Sequence, residues 1–511
     1  MQQEITEGKR RIAKNTMLLY VRMFFMMAVS LYTSRIILDV LGVDDFGLYN
    51  VIGGVVAMFS LISGSLSSSI SRFLTFELGK GDKTQLQKIF STSINIQLII
   101  SLTILVLSEV IGVWFLNTQM TIAEERLDAA NWVLQCSIFT FIINLVSIPY
   151  NALIIAYERM KVFAYISILE VSLKLVVVFL LAVAPFDKLK AYACLLLGVS
   201  LLIRFIYALY CKRNIPECKY IHVYDKTLLS SMIKFAGWNT IGVSSAILKD
   251  QGVNIVINLF CGPAVNAARA ISVQVNTAVN SFITNFMTAL NPQITKSYAA
   301  KDFQYMKTLV QQGTRLSFYM LLLLSVPILI ETETIMSLWL TIVPEHTVLF
   351  VRLILILAMC ESLSGTLITA MLATGNIRNY QIVVGGLQLL NFPLSYVALK
   401  IGLAPEFTMV IAIIISIINL FVRLLFLQNM IGLSAKYYLK AVVGNVSVVS
   451  ACSVVLPLLI SFYLTPGLIR FLVICIVAVP STLFVVYRVG CSQAERVFIK
   501  EKVSNLKNKL R

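Results

Sequence analysis

Charge is scarce in this sequence and histidine almost missing: 13% of the residues are Asp, Glu, Lys or Arg, and there are two histidines in 511 residues. A soluble domain carries about 25% charged residues, so the shortage excludes an ordinary soluble enzyme. His222 and His346 fall in loops expected on opposite sides of a membrane, which leaves no shared histidine centre for metal or acid–base chemistry. No loop exceeds roughly 20 residues, so no separate catalytic domain is expected. A phosphate-cradling loop is lacking too. The stretch ELGKGDKT has glycines, but not the spacing of a nucleotide-binding loop, and it lies between membrane helices rather than after a strand. The nine cysteines make no disulfide framework. Cys136, Cys194, Cys360, Cys452 and Cys475 lie in apolar runs, where cysteine behaves as a small hydrophobe. Cys211 and Cys218 flank CKRNIPEC with no second ligand pair, so no metal site is expected.

What the chain has in abundance is apolar length. It is 58% hydrophobic with a mean hydropathy of +0.85, the composition of a polytopic membrane protein. Apolar runs of about 20 residues bounded by polar or Gly/Pro turns number roughly fourteen. They lie near 17–41, 48–71, 90–116, 131–156, 161–184, 189–210, 230–259, 264–290, 313–338, 347–373, 379–400, 405–428, 440–463 and 467–488. The seventh and eighth are the most polar. KRRIAK precedes the first run, which is longer than a signal-peptide core and has no small-residue cleavage site after it, so no cleavable leader is expected.

The net charge of +17 could suggest nucleic acid, but its placement argues against that. With the N-terminus inside, about 27 Lys/Arg fall in cytoplasmic segments and about 4 in outside loops. Fourteen spans with both termini cytoplasmic satisfy this bias. The charge therefore serves topology and contact with anionic lipid headgroups. The tail AERVFIKEKVSNLKNKLR spaces Ile499, Val503, Leu506 and Leu510 at helical intervals among lysines, which suits a helix lying on the inner surface; a solvated basic tail is the alternative.

The chain also repeats itself. LDVLGVDDFGLYN pairs with INLFCGPAVNAAR when Gly42 is placed on Gly262, and the same register puts Asp82 on Asp302. VWFL around Trp114 has a counterpart in LWLT around Trp339, and ERMKVFAY matches GNIRNYQI. Six helices separate the copies, so both insert in one direction. Parallel repeats of this kind are related by an axis along the membrane normal, with a substrate cleft expected between them. The organisation expected is a six-helix lobe over 1–210, a cytoplasmic loop over 211–229, a second six-helix lobe over 230–430, two further helices over 431–490 and the basic tail over 491–511.

Within this apolar frame some charges lie inside the spans, where each costs about 2.5–3.5 kcal/mol on insertion scales. SRIILDVLGVDDFGLYN carries Arg35 and Asp39, with Arg22 a few turns earlier. Arg35–Asp39 and Glu170–Lys174 are i,i+4 pairs, whose default use is an intrahelical salt bridge. Lys234, Arg204, Arg315, Arg352, Arg423 and Arg470 lie near span ends and are expected to snorkel to the headgroups. The seventh span aligns Asp250, Asn254 and Asn258 on one face, and the eighth aligns Arg269, Ser272, Asn276, Asn280 and Thr284. Such stripes can be interhelical glue. With Lys249 and Arg269 among them, a water-filled cationic cleft is the reading favoured over packing. Candidate substrate contacts are Arg22, Arg35, Lys249, Arg269, Asn254, Asn276 and Asn280. Asp39, Asp250 and Glu361 are candidates for carrying a coupled ion, and no cofactor or metal is expected.

The paired six-helix bundles, the two added helices, and LGVDDFGLYNV followed by SRFLTFELGKGD resemble the bacterial polysaccharide flippases of the multidrug/oligosaccharidyl-lipid/polysaccharide flippase superfamily. The likeness runs over essentially the whole chain. It implies a transporter of the bacterial inner membrane rather than an enzyme. Its cargo would be an undecaprenyl-pyrophosphate-linked O-antigen or capsule repeat unit, moved from the cytoplasmic to the periplasmic leaflet. Alternating access through a cationic cavity, coupling to H⁺, Na⁺ or the membrane potential, and polysaccharide-assembly enzymes as partners are further implications. A drug or cation antiporter of the same superfamily is the main alternative; a lipid II flippase and a membrane-embedded polysaccharide-processing enzyme are weaker ones. An excess of bases suits a pyrophosphate, which guanidinium groups can grip bidentately, whereas a cationic drug calls for acids.

Overall fold

The computed structural model describes the chain apart from residues 1, 58, 119–121, 123, 183–184, 186, 223–224, 341, 494, 498–499 and 501–511. It also leaves aside the side chains of 2–10, 31, 34–35, 38, 43–44, 46–47, 50–51, 54–57, 60–62 and 263. The described elements are all helical. Eleven helices are long and apolar enough to cross a membrane. The three remaining predicted spans, the second, seventh and eighth, are helical too but more polar. The expected surface helix at the C-terminus lies mostly outside the described residues.

The first helix, α1, runs Gln2–Ala57 and breaks at Gly42, where φ is 78° and ψ is 171°. The helix α8, Lys226–Ala299, breaks at Gly262 with φ 81° and ψ 179°. These are the glycines that the internal repeat superposes, and they share one conformation. That backbone region is essentially closed to residues bearing a Cβ. Packing does not impose the choice, since a Cβ at either position would meet nothing within 4 Å. The break is a backbone requirement.

The repeat recurs one helix later. Helix α2, Ser60–Lys80, stops at Gly81 with φ 80°. Asp82 then caps α3, Lys83–Leu107, by accepting from the Gln85 N–H at 2.9 Å. In the second copy Lys301, φ 58°, precedes Asp302 at the end of α8. The first copy's break is also pinned from outside. Asp45, just beyond Gly42, pairs with Arg126 at 3.0 Å, and Arg126 reaches Asp187 at 2.7 Å. Arg126 belongs to α5, Glu124–Ala156, and Asp187 caps α7, Lys188–Asn214.

The chain forms two compact units: residues 1–244 with 288–302, and residues 245–287 with 303–511. In the first, α2, α3, α5, α6 (Met160–Ala182) and α7 enclose a core that includes Ile70, Leu74, Phe90, Leu153 and Val178. The Arg204 guanidinium lies over the Tyr150 ring at 3.9 Å, a cation–π contact that lets it stay among helices. The second unit is built on α9 (Phe303–Ile330), α11 (Thr347–Ser362) and α15 (Phe407–Ile431). The last long helices, α17 (Asn445–Tyr463) and α18 (Leu468–Val485), pack against α9.

Besides Arg204, three of the arginines expected to snorkel have partners within the protein. Arg470 of α18 meets Glu331, whose side chain is fully buried, with Nε 2.6 Å from Oε1. That contact is coulombic, and the aligned hydrogen bond runs from Nη2 to Oε2 at 3.2 Å. Arg315 binds Glu495 at 2.9 Å, and Arg423 is buried against the Tyr380 hydroxyl at 3.3 Å. Removing one partner of a buried pair costs about 3–5 kcal/mol, so Arg470–Glu331 and Arg315–Glu495 are docking contacts for the last helix and the segment after it, while Arg423–Tyr380 joins two helices of the second unit. Lys234, by contrast, is exposed.

The glycine break makes a direct test. Gly262→Ala should destabilise the protein by about 1–3 kcal/mol, the usual cost of forcing a Cβ into that region. Gly386→Ala, at a helical position with open space around its Cβ, should be neutral or gain about 0.5–1 kcal/mol. Thermal unfolding of the purified variants measures both.

Candidate functional site

Because α8 breaks at Gly262, residues before and after the break lie beside each other. Arg269 is 4% exposed, and its Nη1 donates a short hydrogen bond to Asn254 Oδ1. Asn254 in turn donates to Gln251 Oε1 at 3.2 Å. The Arg269 Nε is buried with no hydrogen-bond partner, and Asp250 is the acid in whose field the guanidinium lies. One turn earlier Lys249 Nζ is 3.2 Å from Glu361 Oε1 of α11 and 3.6 Å from Asp250 Oδ1. The lysine side chain is 12% exposed, whereas the two carboxylates are 62% (Asp250) and 47% (Glu361) exposed. The cation is thus withdrawn and the acids stand outward. Beyond Arg269 the polar stripe continues: Asn280 donates to Asn276 Oδ1 at 2.7 Å, and Thr284 donates to the Asn280 carbonyl at 3.0 Å.

Five of the residues singled out in sequence therefore form one cluster in the second unit: Lys249, Asp250, Asn254, Arg269 and Glu361. Their charges balance, two bases against two acids. Gln251 completes the amide chain and was not among the sequence candidates, although its place three residues before Asn254 on the same helix put it within reach.

A second cluster lies in the first unit. Lys174 Nζ is 2.6 Å from Glu170 Oε1. Arg22 of α1 sits over the Phe163 ring at 4.4 Å, in the field of Glu170 and of the Tyr207 hydroxyl. One carboxylate here serves two cations, so this group carries net positive charge. Asp39 is exposed. The Arg35 side chain lies outside the described residues, and with it the Arg35–Asp39 pair.

No family model matches the chain. The fold is that of the multidrug-resistance transporters called MATE. A MATE transporter in its bent conformation superposes with a TM-score of 0.74 at 12% identity, over 85% of this chain and 98% of its own. An outward-facing multidrug-resistance MATE transporter of the MOP superfamily gives 0.70 at 12% identity, over 83% and 96%. A MOP superfamily transporter from Pyrococcus furiosus Vc1, described by the reversed polarity of its binding pocket, gives 0.70 at 12% identity over the same shares. In sequence the chain is 20% identical over 297 residues to EpsK of Bacillus subtilis (strain 168), described as an uncharacterized membrane protein. That match spans 58% of this chain and 58% of EpsK.

Arg269 separates a binding role from a packing role. Its guanidinium is buried on an amide rather than on a carboxylate contact, an arrangement that adds little to stability. Arg269→Gln should leave the thermal midpoint unchanged or raised while transport is lost. A destabilisation of more than about 2 kcal/mol, the range of a lost charged hydrogen bond, would assign Arg269 to packing.

Proposed function

We propose that this protein is a flippase of a bacterial inner membrane, with both termini cytoplasmic, that moves a polyprenyl-pyrophosphate-linked oligosaccharide from the cytoplasmic to the periplasmic leaflet. The observation that carries the reading is Arg269, a nearly fully buried guanidinium with an unused N–H, set in a chain of amides. A guanidinium offers bidentate hydrogen bonds to a phosphate, and Asn254, Asn276 and Asn280 offer the donors and acceptors that sugars need. Arg22 and Lys174 add positive charge in the first unit. The polyprenyl tail stays in the lipid. The MATE-like fold supports alternating access as the mode of movement. The solved transporter described by a pocket of reversed polarity supports the idea that this fold accepts pockets of either sign.

The outward acids supply the coupling. Asp250 and Glu361 hold Lys249 between them. A proton or Na⁺ arriving at either carboxylate weakens that hold and frees an ammonium for the pyrophosphate. Asp39 is the candidate for the same role in the first unit. The membrane potential contributes as well: about 2.3 kcal/mol per charge per 100 mV gives roughly 4–5 kcal/mol for a doubly charged pyrophosphate moving outward. Enzymes that assemble the glycan are the partners this role calls for. The exposed carboxylates are also what favours the second reading, a drug or cation antiporter, since they could receive a cationic solute directly.

Two measurements test the proposal. In cells lacking the protein, the polyprenyl-linked oligosaccharide should accumulate on the cytoplasmic face; an unchanged leaflet distribution would move the weight to the antiporter. Collapsing the potential at fixed pH and ion gradients should slow export. An unchanged rate would leave ion exchange at Asp250 and Glu361 as the driving step.

A further inference from the structure

The turn between α5 and α6 spans three residues, 157–159, and its centre is strained. Glu158 has φ 56°, a conformation uncommon for a residue with a Cβ and costing about 1–3 kcal/mol. Its side chain is only 5% exposed, yet both carboxylate oxygens are engaged. Oε2 accepts from Gln293 Nε2 at 2.6 Å, and Oε1 faces Lys296 Nζ at 2.5 Å. The Glu158 carbonyl accepts from Asn15 of α1 at 3.4 Å. One residue thus ties the turn to α1 and to the last turns of α8.

Gly79 marks a second contact at the same place. A Cβ there would lie 2.7 Å from Ala299 Cβ, 2.8 Å from the Lys296 carbonyl oxygen and 2.9 Å from Lys296 Cα. Two helix backbones approach this closely only where a glycine permits it. The other end of α8 is held in the same unit by neutral groups. Ser65 Oγ donates to the Ala236 carbonyl at 2.8 Å and accepts from Thr240 Oγ1 at 2.9 Å, and Ser69 Oγ donates to the Met232 carbonyl at 3.4 Å. Residues 226–244 and 288–299 of α8 therefore belong to the first unit, while residues 245–287, which carry Lys249 and Arg269, belong to the second.

We propose that Glu158 is a latch: it holds Lys296 and Gln293 in the conformation seen here and must release them for the membrane face bearing the basic loops to open. The chemistry suits a reversible hold. A buried ion pair adds little net stability while specifying one geometry. Once parted, near the membrane surface, both charges regain water. Strain at a non-glycine residue persists only where its surroundings over-determine it, and here that surrounding is the latch partner. The proposal rests on the transporter reading but not on the cargo.

The experiment therefore uses no cargo. Ser69→Cys, at a position 1% exposed, is introduced into the full-length protein in inside-out membrane vesicles. A membrane-impermeant maleimide then probes it, with the native cysteines' labelling subtracted. Adding Glu158→Gln should raise the labelling rate about fivefold or more, the low end of a two-state coupling, and Gly79→Ala should raise it with every charge in place. The swap Glu158→Lys with Lys296→Glu should restore slow labelling. Unchanged labelling in Glu158→Gln, or a swap as reactive as its single variants, would overturn the latch. If the glutamine variant does not accumulate, a Glu158→Cys/Lys296→Cys pair cross-linked with copper phenanthroline carries the test. Cross-linking should suppress the reporter below its uncross-linked rate, and labelling that is indifferent to complete cross-linking overturns the proposal. A raised labelling rate beside an unchanged leaflet distribution would keep the latch and discard the glycan.

Discussion

A charge among helices in a bilayer has to be neutralised by something within arm's length, and the polar architecture of this protein follows from that need. Lys174 has Glu170, Lys249 has Glu361 and Asp250, Arg470 has Glu331, and Arg315 has Glu495. An aromatic ring supplements or replaces the acid elsewhere: Phe163 lies beneath Arg22, which Glu170 also serves, and Tyr150 beneath Arg204. These partners come from different helices in most cases, so charge pairing and helix docking are one problem solved together. Arg269 departs from the rule. Its contact partner is an amide, and the nearest acid acts on it only through space. A site that holds a cation without discharging it fully is suited to receiving an anion.

Much of the frame was legible in the sequence because hydropathy and repetition are local signals. The apolar runs located the helices, and the superposition of Gly42 on Gly262 found two breaks with the same φ and ψ. The polar stripe on α8 was readable for the same reason, since Asn254 and Arg269 lie on neighbouring limbs of one broken helix. The failures have a common cause. Arg470 looked like a snorkelling residue because its partner, Glu331, is 139 residues away, and nothing in a window of twenty residues reports such a neighbour. Glu158 carries no such signal either, because a lone acid in a short loop is the commonest of surface features. Only three-dimensional contact turns it into a buried ion.

The two clusters differ in electrical character. In the first unit a single carboxylate faces two cations and leaves a standing positive charge. In the second, acids and bases are equal in number, but the acids face outward and the lysine inward. The first arrangement would favour an anion whatever else is bound. The second would turn from neutral to positive on occupancy, because a cation at an outer carboxylate would unmask the lysine behind it. On the proposed reading a coupling cation and an anionic cargo would then assist each other, the cation taking the acids and the anion the lysine they release, so that coupling would be a matter of partner exchange rather than of distance.

The broken helices also say something about descent. Both copies interrupt their first helix at the same register and in the same conformation, although the residues around Gly42 and Gly262 have diverged almost beyond recognition. An interruption shared so closely is what the doubling of a half that already carried it would leave. The next turn shows how far the halves have since parted. Gly81 in one copy occupies a left-handed backbone that Lys301 tolerates in the other. The second half thus bears a positive charge where the first has conformational ease.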